Sequence, residues 1–228
     1  MESPHPAGRS DAGPPFADRH EAGRELASRL QSYRGRRDVV VLALPRGGVP
    51  VASVVAEALE APLDVFVVRK LGMPGREELA MGAIASGGIR VLNADLVRWA
   101  GIPESVIEAV ARDERVELER REREYRQGRP ATDLHAKLVI LVDDGLATGS
   151  TMRAAVQAVR AHHPERVIVA VPVGAPDTCQ QFDDVADETV CARTPEPFSA
   201  VGLWYRDFSQ TSDEEVQSLL RQHGHDGI

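Results

Sequence analysis

The segment Leu138–Thr151, LVILVDDGLATGST, decides the fold of this chain. Its first five residues, Leu138–Val142, are all apolar and predict a strand covered on both faces, which is typical of a parallel sheet. Two carboxylates, a glycine-containing loop with three hydroxyl side chains, and a predicted helix from about Ser150 to His162 follow. Such a loop presents backbone N–H groups and the positive end of a helix dipole to one point, so it predicts a phosphate site. The alternative is a plain Asp-Gly turn followed by a Ser or Thr N-cap.

The two carboxylates, Asp143 and Asp144, narrow the choice of ligand. They would repel a bare phosphate, so they fit contacts to another part of the ligand, such as sugar hydroxyls or a metal that the ligand carries. A phosphate with diol contacts beside it describes a ribose 5-phosphate. The loop is not a Walker A loop, because it contains no GK[ST].

Short apolar strands alternate with helices on both sides of this segment. The alternation implies a parallel sheet with right-handed crossovers. The predicted fold class is therefore α/β, a mostly parallel twisted sheet flanked by helices. Further strands are predicted at 39–44, 63–69, 89–92, 166–173 and 185–192, and helices at 20–32 and from 49 to about 60.

Composition and charge exclude several classes of protein. The 228 residues carry a net charge of -8, which argues against a dominant nucleic-acid-binding surface, and the 4% aromatic content disfavours base-stacking platforms. Cys179 and Cys191 form no CxxC pair and are predicted to be two reduced thiols of a cytoplasmic protein. No apolar run approaches about 18 residues, so no membrane span is predicted.

The chain is predicted to form one domain after a disordered tail. Residues 1–18 are assigned to the tail, because the first fifteen residues are rich in Pro, Gly and Ser. The domain spans 19–222. Within it, residues 112–126 contain twelve charged residues, six of each sign, and predict a solvent-exposed helix with i,i+4 ion pairs. Zero net charge disfavours a nucleic-acid arm there, while a dimer contact or a support for a lid stays open.

Two further loops add glycines and cations to the predicted site. Pro45-Arg46-Gly47-Gly48 follows a buried strand, at the strand end where open α/β sheets bind ligands. The segment Arg69–Glu78, RKLGMPGREE, has little to bury and predicts a mobile loop. A plain strand–helix turn and a solvated hairpin are the respective alternatives.

The ten residues Val142–Thr151 resemble the signature with which type I phosphoribosyltransferases bind phosphoribosyl pyrophosphate (PRPP). The resemblance extends over about residues 19–222 and implies the fold of that family, with a small C-terminal hood at about 193–222. It also implies that two acids contact the ribose hydroxyls, that the loop holds the 5-phosphate, and that Mg²⁺ arrives with PRPP. Asp143 and Asp144 would hold that Mg²⁺ only indirectly, through PRPP or water. The implied PRPP-binding residues are Arg46, Gly47, Gly48, Asp143, Asp144, Gly145, Ala147, Thr148, Gly149, Ser150 and Thr151.

The resemblance also gives roles to the two further loops. It implies a pyrophosphate-binding loop at Arg46, with a cis peptide bond before that residue, and a loop at 69–78 that closes over PRPP. RKLGMPG is most similar to the adenine-specific branch of the family. Ala147 stands where hypoxanthine-guanine-type enzymes carry an acid, so the phosphate loop supplies no general base. The implied catalytic residues are Arg69, Lys70, Glu77 and Glu78.

In the C-terminal piece at 197–216, three of the ten aromatic residues of the chain, Trp204, Tyr205 and Phe208, lie near Asp207 in the sequence. Two interpretations stay open. The aromatic side chains pack a small subdomain onto the sheet, or they form a hood in which one ring stacks on the acceptor. The second interpretation makes Trp204, Tyr205 and Asp207 acceptor-binding residues.

The resemblance implies a PRPP-dependent phosphoribosyltransferase, a glycosyltransferase of nucleotide salvage. PRPP·Mg would donate ribose 5-phosphate to a small nitrogen acceptor, a purine base being one candidate, and pyrophosphate would leave. We expect no nucleic-acid or membrane partner, and a homodimer stays open. The alternative is a non-catalytic regulator that senses PRPP or a nucleotide on the same fold. A hydrolase is disfavoured, because no GxSxG elbow places a nucleophile.

Overall fold

A computed structural model describes residues 13–223 of the chain. Within this range a five-stranded sheet and a three-stranded sheet are packed with helices. The helices are α1 (Arg19–Arg29), α2 (Gly48–Leu59), α3 (Ala94–Ala100), α4 (Glu104–Arg126), α5 (Ser150–Arg160), α6 (Pro176–Gln181) and α7 (Asp213–Gln222). The strands are β1 (Val39–Ala43), β2 (Leu63–Val65), β3 (Val68–Met73), β4 (Arg76–Ala85), β5 (Ile89–Leu92), β6 (Leu138–Val142), β7 (Arg166–Val173) and β8 (Glu188–Arg193).

The larger sheet has the strand order β2-β1-β6-β7-β8, and every neighbouring pair is parallel. All residues of β1 and β6 are buried, because both faces of these strands are covered. Side chains from α1, α2, α4 and α7 pack on one face, and side chains from α5 pack on the other. The predicted fold class, a mostly parallel sheet flanked by helices, is confirmed.

The prediction of one strand at 63–69 is wrong in one respect, because the segment contains parts of two strands that belong to different sheets. β2 pairs with β1 in the larger sheet, whereas β3 forms an antiparallel sheet with β4 and β5. Phe66 and Val67 connect them, and the N–H groups of these residues donate to the carbonyl of Ala43 and the hydroxyl of Ser86. A continuous apolar run reports burial and carries no information about which sheet buries it.

The segment predicted as a mobile loop at 69–78 forms the hairpin of β3 and β4, with the turn at Pro74 and Gly75. The segment is therefore a hairpin and not an irregular loop, while its mobility stays a prediction. Leu71 is fully buried and anchors the hairpin, and the register shifts beside it at Gly72. Leu71 and Met73 are too few apolar side chains in this polar stretch to give a periodic signal that predicts the strands.

The two cysteines form a disulfide, which corrects the prediction of reduced thiols. Cys179 lies on α6 and Cys191 on β8, and α6 packs against β8 so that the two Cα atoms lie 6.5 Å apart. That separation is within the usual range for a disulfide. Free thiols therefore no longer support a cytoplasmic location, and the location itself stays a prediction.

The highly charged segment belongs to the 23-residue helix α4, which is only partly exposed to solvent. Ile107, Leu118 and Tyr125 are buried along one of its faces. Arg126 is 9% exposed, and its guanidinium pairs with Asp64 at 3.0 Å. The predicted i,i+4 ion pairs are present, Glu117–Arg121 and Glu119–Arg123 on the solvent side and Glu122–Arg126 largely buried. The expectation of a solvent-exposed helix is therefore corrected for the face that it buries.

Both ends of the described chain pack onto the domain. Residues 1–12 of the predicted tail lie outside the described residues, but Phe16, also assigned to the tail, is 1% exposed. Its N–H donates to the carbonyl of Trp204 at 2.8 Å. Part of the predicted tail is therefore inside the fold. Among residues 13–223, no helix is long and apolar enough to cross a membrane.

Arg126 provides a test of the core that α4 closes. Replacing it with alanine (Arg126→Ala) leaves the buried Asp64 carboxylate without its cation and removes the hydrogen bond to the Val65 carbonyl. We expect the free energy of unfolding to fall by about 3 kcal/mol in urea denaturation. The control Arg123→Ala removes an exposed arginine from the same helix and should change the stability little. Equal stabilities of the two variants would contradict this account.

Candidate functional site

The carboxyl ends of β1 and β6 place two loops side by side. The strands pair in register from Val39 opposite Leu138 to Ala43 opposite Val142, so the chain leaves both strands at the same level. A Cβ atom added at Gly47 would overlap Oδ2 of Asp144, so any larger residue there would displace this carboxyl group. This close approach explains a glycine in the PRGG turn. The peptide bond between Pro45 and Arg46 is cis, as predicted.

The phosphate loop, defined as Ala147–Thr151, turns into α5 at Ser150. Gly149 has a φ of 70°, a left-handed conformation that favours glycine. The Thr178 hydroxyl on α6 donates to the Ala147 carbonyl at 2.7 Å and holds the loop from behind. Within residues 13–223, the backbone N–H groups of 147–149 have no hydrogen-bond acceptor. Several unpaired N–H donors therefore lie at the N-terminus of α5, and this arrangement favours the binding of an anion.

The acid pair, Asp143 and Asp144, lies between the two loops. Burial raises the pKa of Asp143 well above its usual value, and the neighbouring Asp144 raises it further. Burial also raises the pKa of Asp144, although the Arg19 guanidinium opposes this shift. One oxygen of Asp143 accepts the N–H of Asp144 at 2.8 Å. The site thus keeps two adjacent carboxyl groups in a place that disfavours their ionised forms.

Arg19 is a site residue that sequence reasoning missed. It lies on the first turn of α1, and its Nε and Nη2 lie 2.9 and 2.8 Å from Oδ2 of Asp144. The same guanidinium donates to the Ser209 carbonyl and lies 4.1 Å from the centre of the Phe208 ring. A contact across 125 residues leaves no local signal in a single sequence. Arg19 therefore links α1, the acid pair and the C-terminal segment.

The predicted acceptor residues differ in their surroundings. Tyr205 is 6% exposed, packs against the rings of Phe16 and Phe208, and donates its hydroxyl to the Asp144 carbonyl. Its ring is enclosed by these neighbours, as the packing interpretation predicts. Trp204 is half-buried, and Asp207 is exposed.

The predicted catalytic residues all lie on the hairpin, but they point to different places. Arg69 pairs with Glu114 of α4 at 2.7 Å. Lys70 lines a cavity of about 550 Å³, whose wall includes Thr148 and Ser150 of the phosphate loop. Glu77 and Glu78 are exposed, and the structure records no polar contact between them and the acid pair. The hairpin thus brings one of these four side chains towards the phosphate loop.

Arg46, in the PRGG turn, approaches α7. Its Nη1 lies 3.6 Å from a carboxyl oxygen of Asp213, the first residue of that helix.

No group of three or more His, Cys, Asp or Glu side chains within residues 13–223 forms a metal site. The acid pair offers two hard oxygen ligands, which fit a Mg²⁺ ion that a phosphorylated ligand brings and partly coordinates itself.

A comparison with protein families matches residues 17–199 to the phosphoribosyl transferase domain. The chain belongs to the phosphoribosyl transferase family. The match includes the PRGG turn, the acid pair and the phosphate loop, and it ends before Trp204, Tyr205 and Asp207. The predicted acceptor residues therefore lie outside the part of this phosphoribosyl transferase that the family comparison covers.

Individual relatives agree with the family. A "Putative phosphoribosyl transferase" of Mycobacterium tuberculosis H37Rv is 52% identical over 205 residues, which cover 90% of this chain and 46% of the relative. This phosphoribosyl transferase chain thus spans about half the length of that curated relative. The crystal structure of TT1426 from Thermus thermophilus matches this chain with 42% sequence identity and a TM-score of 0.83. The match covers 92% of this chain and 100% of the TT1426 chain.

The acid pair predicts a gain of stability when one charge is removed. Because the pKa of Asp143 is raised on folding, the folded state holds its proton up to a higher pH than the unfolded chain does. The free energy of unfolding therefore falls as pH rises from the unfolded pKa, about 3.9, through the raised pKa. Asn at this position cannot ionise and keeps the oxygen that accepts the Asp144 N–H. We expect Asp143→Asn to raise the melting temperature at pH 7 by about 2–4 °C, for about 1 kcal/mol.

This gain should shrink as the pH is lowered towards 4, where the wild-type carboxyl is protonated too. Differential scanning calorimetry between pH 4 and 8 measures it. The control Asp133→Asn changes an exposed aspartate whose carboxyl also accepts a nearby backbone N–H, and it should leave the melting temperature unchanged. A melting temperature of Asp143→Asn at or below that of the wild type throughout this range would refute the prediction.

Proposed function

We propose that this chain transfers ribose 5-phosphate from PRPP·Mg to a small nitrogen acceptor and releases pyrophosphate. The observation that carries the proposal is the contact between the acid pair and the PRGG turn, beside a phosphate loop with free N–H donors. Ribose hydroxyls, a 5-phosphate and a pyrophosphate need these three kinds of partner close together. Membership of the phosphoribosyl transferase family supports the same reaction.

Each part of PRPP has a partner in this proposal. The phosphate loop binds the 5-phosphate through its N–H groups and hydroxyls. Asp143 and Asp144 accept hydrogen bonds from the ribose diol, directly or through the Mg²⁺ ion that accompanies PRPP. Arg46 and the backbone of the PRGG turn bind pyrophosphate, with Lys70 approaching from the hairpin. Bound Mg²⁺ supplies positive charge that stabilises the leaving pyrophosphate.

The chemistry is a displacement at C1 of the ribose. The bond from C1 to the pyrophosphate oxygen breaks, and a bond from C1 to the acceptor nitrogen forms, through a state with ribosyl cation character. The protein contributes mainly by positioning and by cations around pyrophosphate. Ala147 places no carboxylate beside the acceptor, so Glu77 and Glu78 remain the proposed general bases. Trp204 and Asp207 are the proposed acceptor contacts, and the enclosed Tyr205 holds the Asp144 backbone from behind.

A purine is the first acceptor class to test, because the RKLGMPG segment and Ala147 resemble adenine-type enzymes. Pyrophosphate release from PRPP·Mg is measured against a panel of purines, pyrimidines and other nitrogen compounds. We expect one class of acceptor to stimulate release. In the double variant Asp143→Asn/Asp144→Asn the stimulated rate should drop at least about a hundredfold, since each lost charged hydrogen bond is worth about tenfold or more.

The same assay distinguishes the regulatory alternative. If no acceptor stimulates release while PRPP raises the melting temperature of the wild type, the chain binds PRPP without transferring it. If PRPP neither reacts nor raises the melting temperature, and the double variant behaves like the wild type, the PRPP assignment is wrong. Circular dichroism checks that the double variant remains folded.

Arg19 supplies a second test of the proposed PRPP site. Its guanidinium offsets the charge of Asp144 and holds one of its two carboxyl oxygens. Without it, an unbalanced carboxylate faces the phosphates of PRPP. We expect Arg19→Gln to raise KM for PRPP about tenfold, with a smaller change in kcat, and Arg19→Lys to restore part of the loss. Arg24→Gln removes an exposed arginine from the same helix and should leave both constants unchanged. A KM that does not move in Arg19→Gln would remove Arg19 from the site.

A further inference from the structure

A second concave site lies outside the proposed PRPP site, between β5 and α4. We call it the cationic cleft. It has a volume of about 420 Å³ and shares no lining residue with the PRGG turn, the acid pair or the phosphate loop. Its lining residues are Gly88, Arg90, Glu108, Ala111, Arg112 and Arg115. Its three arginines outnumber Glu108 and the Arg90 partner Glu104, so the cleft is positive in a chain whose net charge is -8.

The arginines of α4 fall into two groups. Four of them form ion pairs with glutamates of the same helix: Arg120, Arg121, Arg123 and Arg126. Arg112 and Arg115, the two in the cationic cleft, form no ion pair with any residue in 13–223. Residues 108, 112 and 115 are spaced by four and three, so their side chains share one face of the helix. Two guanidinium groups on this face are therefore free to bind an anion.

The opposite wall of the cleft complements this face. Arg90 extends from β5 and uses one nitrogen, Nη2, to pair with Glu104 at 2.6 Å. Gly88 lies beside it, and no atom lies within 4 Å of the position that its Cβ would occupy. The cleft thus remains open where a larger residue would narrow it. Arg90 thus adds a third guanidinium to the lining of the cleft.

We propose that the cationic cleft binds the phosphate group of a small phosphorylated molecule. Planar guanidinium groups match the oxygens of a phosphate and bind it in a bidentate manner, which favours phosphate over a single-charged ligand. A volume of about 420 Å³ accommodates a sugar phosphate or a mononucleotide. Glu108 also lines the cleft and would accept a hydrogen bond from a hydroxyl of such a ligand. The proposal does not depend on the transferase function, because the cleft and the PRPP site share no residue.

The test must separate phosphate in this cleft from phosphate in the phosphate loop. Ser150→Glu serves as the background, because it places a carboxylate on an exposed first residue of α5, where it repels phosphate and suits the helix dipole. Inorganic phosphate is the probe, followed by ³¹P NMR titration of the full chain at low ionic strength. We expect saturable phosphate binding to persist in Ser150→Glu. Adding Arg112→Gln and Arg115→Gln should weaken it by about tenfold per arginine.

The matched control adds Arg120→Gln and Arg123→Gln to the same background. It removes the same charge from the same helix but from arginines that already have carboxylate partners. We expect this control variant to retain the phosphate affinity of Ser150→Glu within about twofold, because the ions in solution screen the attraction between distant exposed charges and the phosphate. Absence of saturable binding in Ser150→Glu overturns the proposal. Equal losses in the two arginine pairs overturn it as well, since they would reveal a response to net charge alone.

Discussion

The in-register pairing of β1 with β6 is the constraint on which the rest of the site depends. These two central strands end at the same level, so the PRGG turn and the acid pair leave the sheet as neighbours. The turn then lies so close to Asp144 that a side chain at Gly47 would overlap the carboxyl group. A shift of one residue in this pairing would turn each side chain of β6 to the other face and separate the loops. Burial on both faces of the sheet holds the register, because each face is packed against helices.

The two adjacent carboxyl groups of the site lower the stability of the fold and at the same time favour a ligand. Two adjacent carboxyl groups are half-buried, and their raised pKa values express the free energy that their ionisation costs in the folded chain. Arg19 offsets part of that cost at Asp144, while Asp143 has a backbone N–H as its described hydrogen-bond partner. Ribose hydroxyls or a ligand-borne Mg²⁺ would stabilise the ionised pair further. The Asp143 carboxyl therefore lowers the stability of the ligand-free protein and favours ligand binding.

α4 connects parts of the molecule that are distant in sequence. Arg126 near its end fixes Asp64 of β2, and Glu114 near its middle pairs with Arg69 of the hairpin. Its Tyr125 donates to Asp213 at the start of α7, and the same carboxylate lies near Arg46. The helix that sequence patterning describes as a solvated element therefore supports both the hairpin and the PRGG turn. Its remaining exposed face contains the cationic cleft.

The sequence by itself determined the central strands and the loop at the end of β6. Runs such as 39–43 and 138–142 are apolar throughout, and DDGLATGST combines acids, glycines and hydroxyls in the order of the PRPP-binding signature that it resembles. Tertiary structure decided the division of 63–73 between two sheets, the Cys179–Cys191 disulfide, the enclosure of Tyr205 and the contact of Arg19 with Asp144. The physical reason is range. Periodicity and motif spacing record how a residue relates to its near neighbours, whereas these features depend on side chains that meet only after the sheet has brought distant segments together.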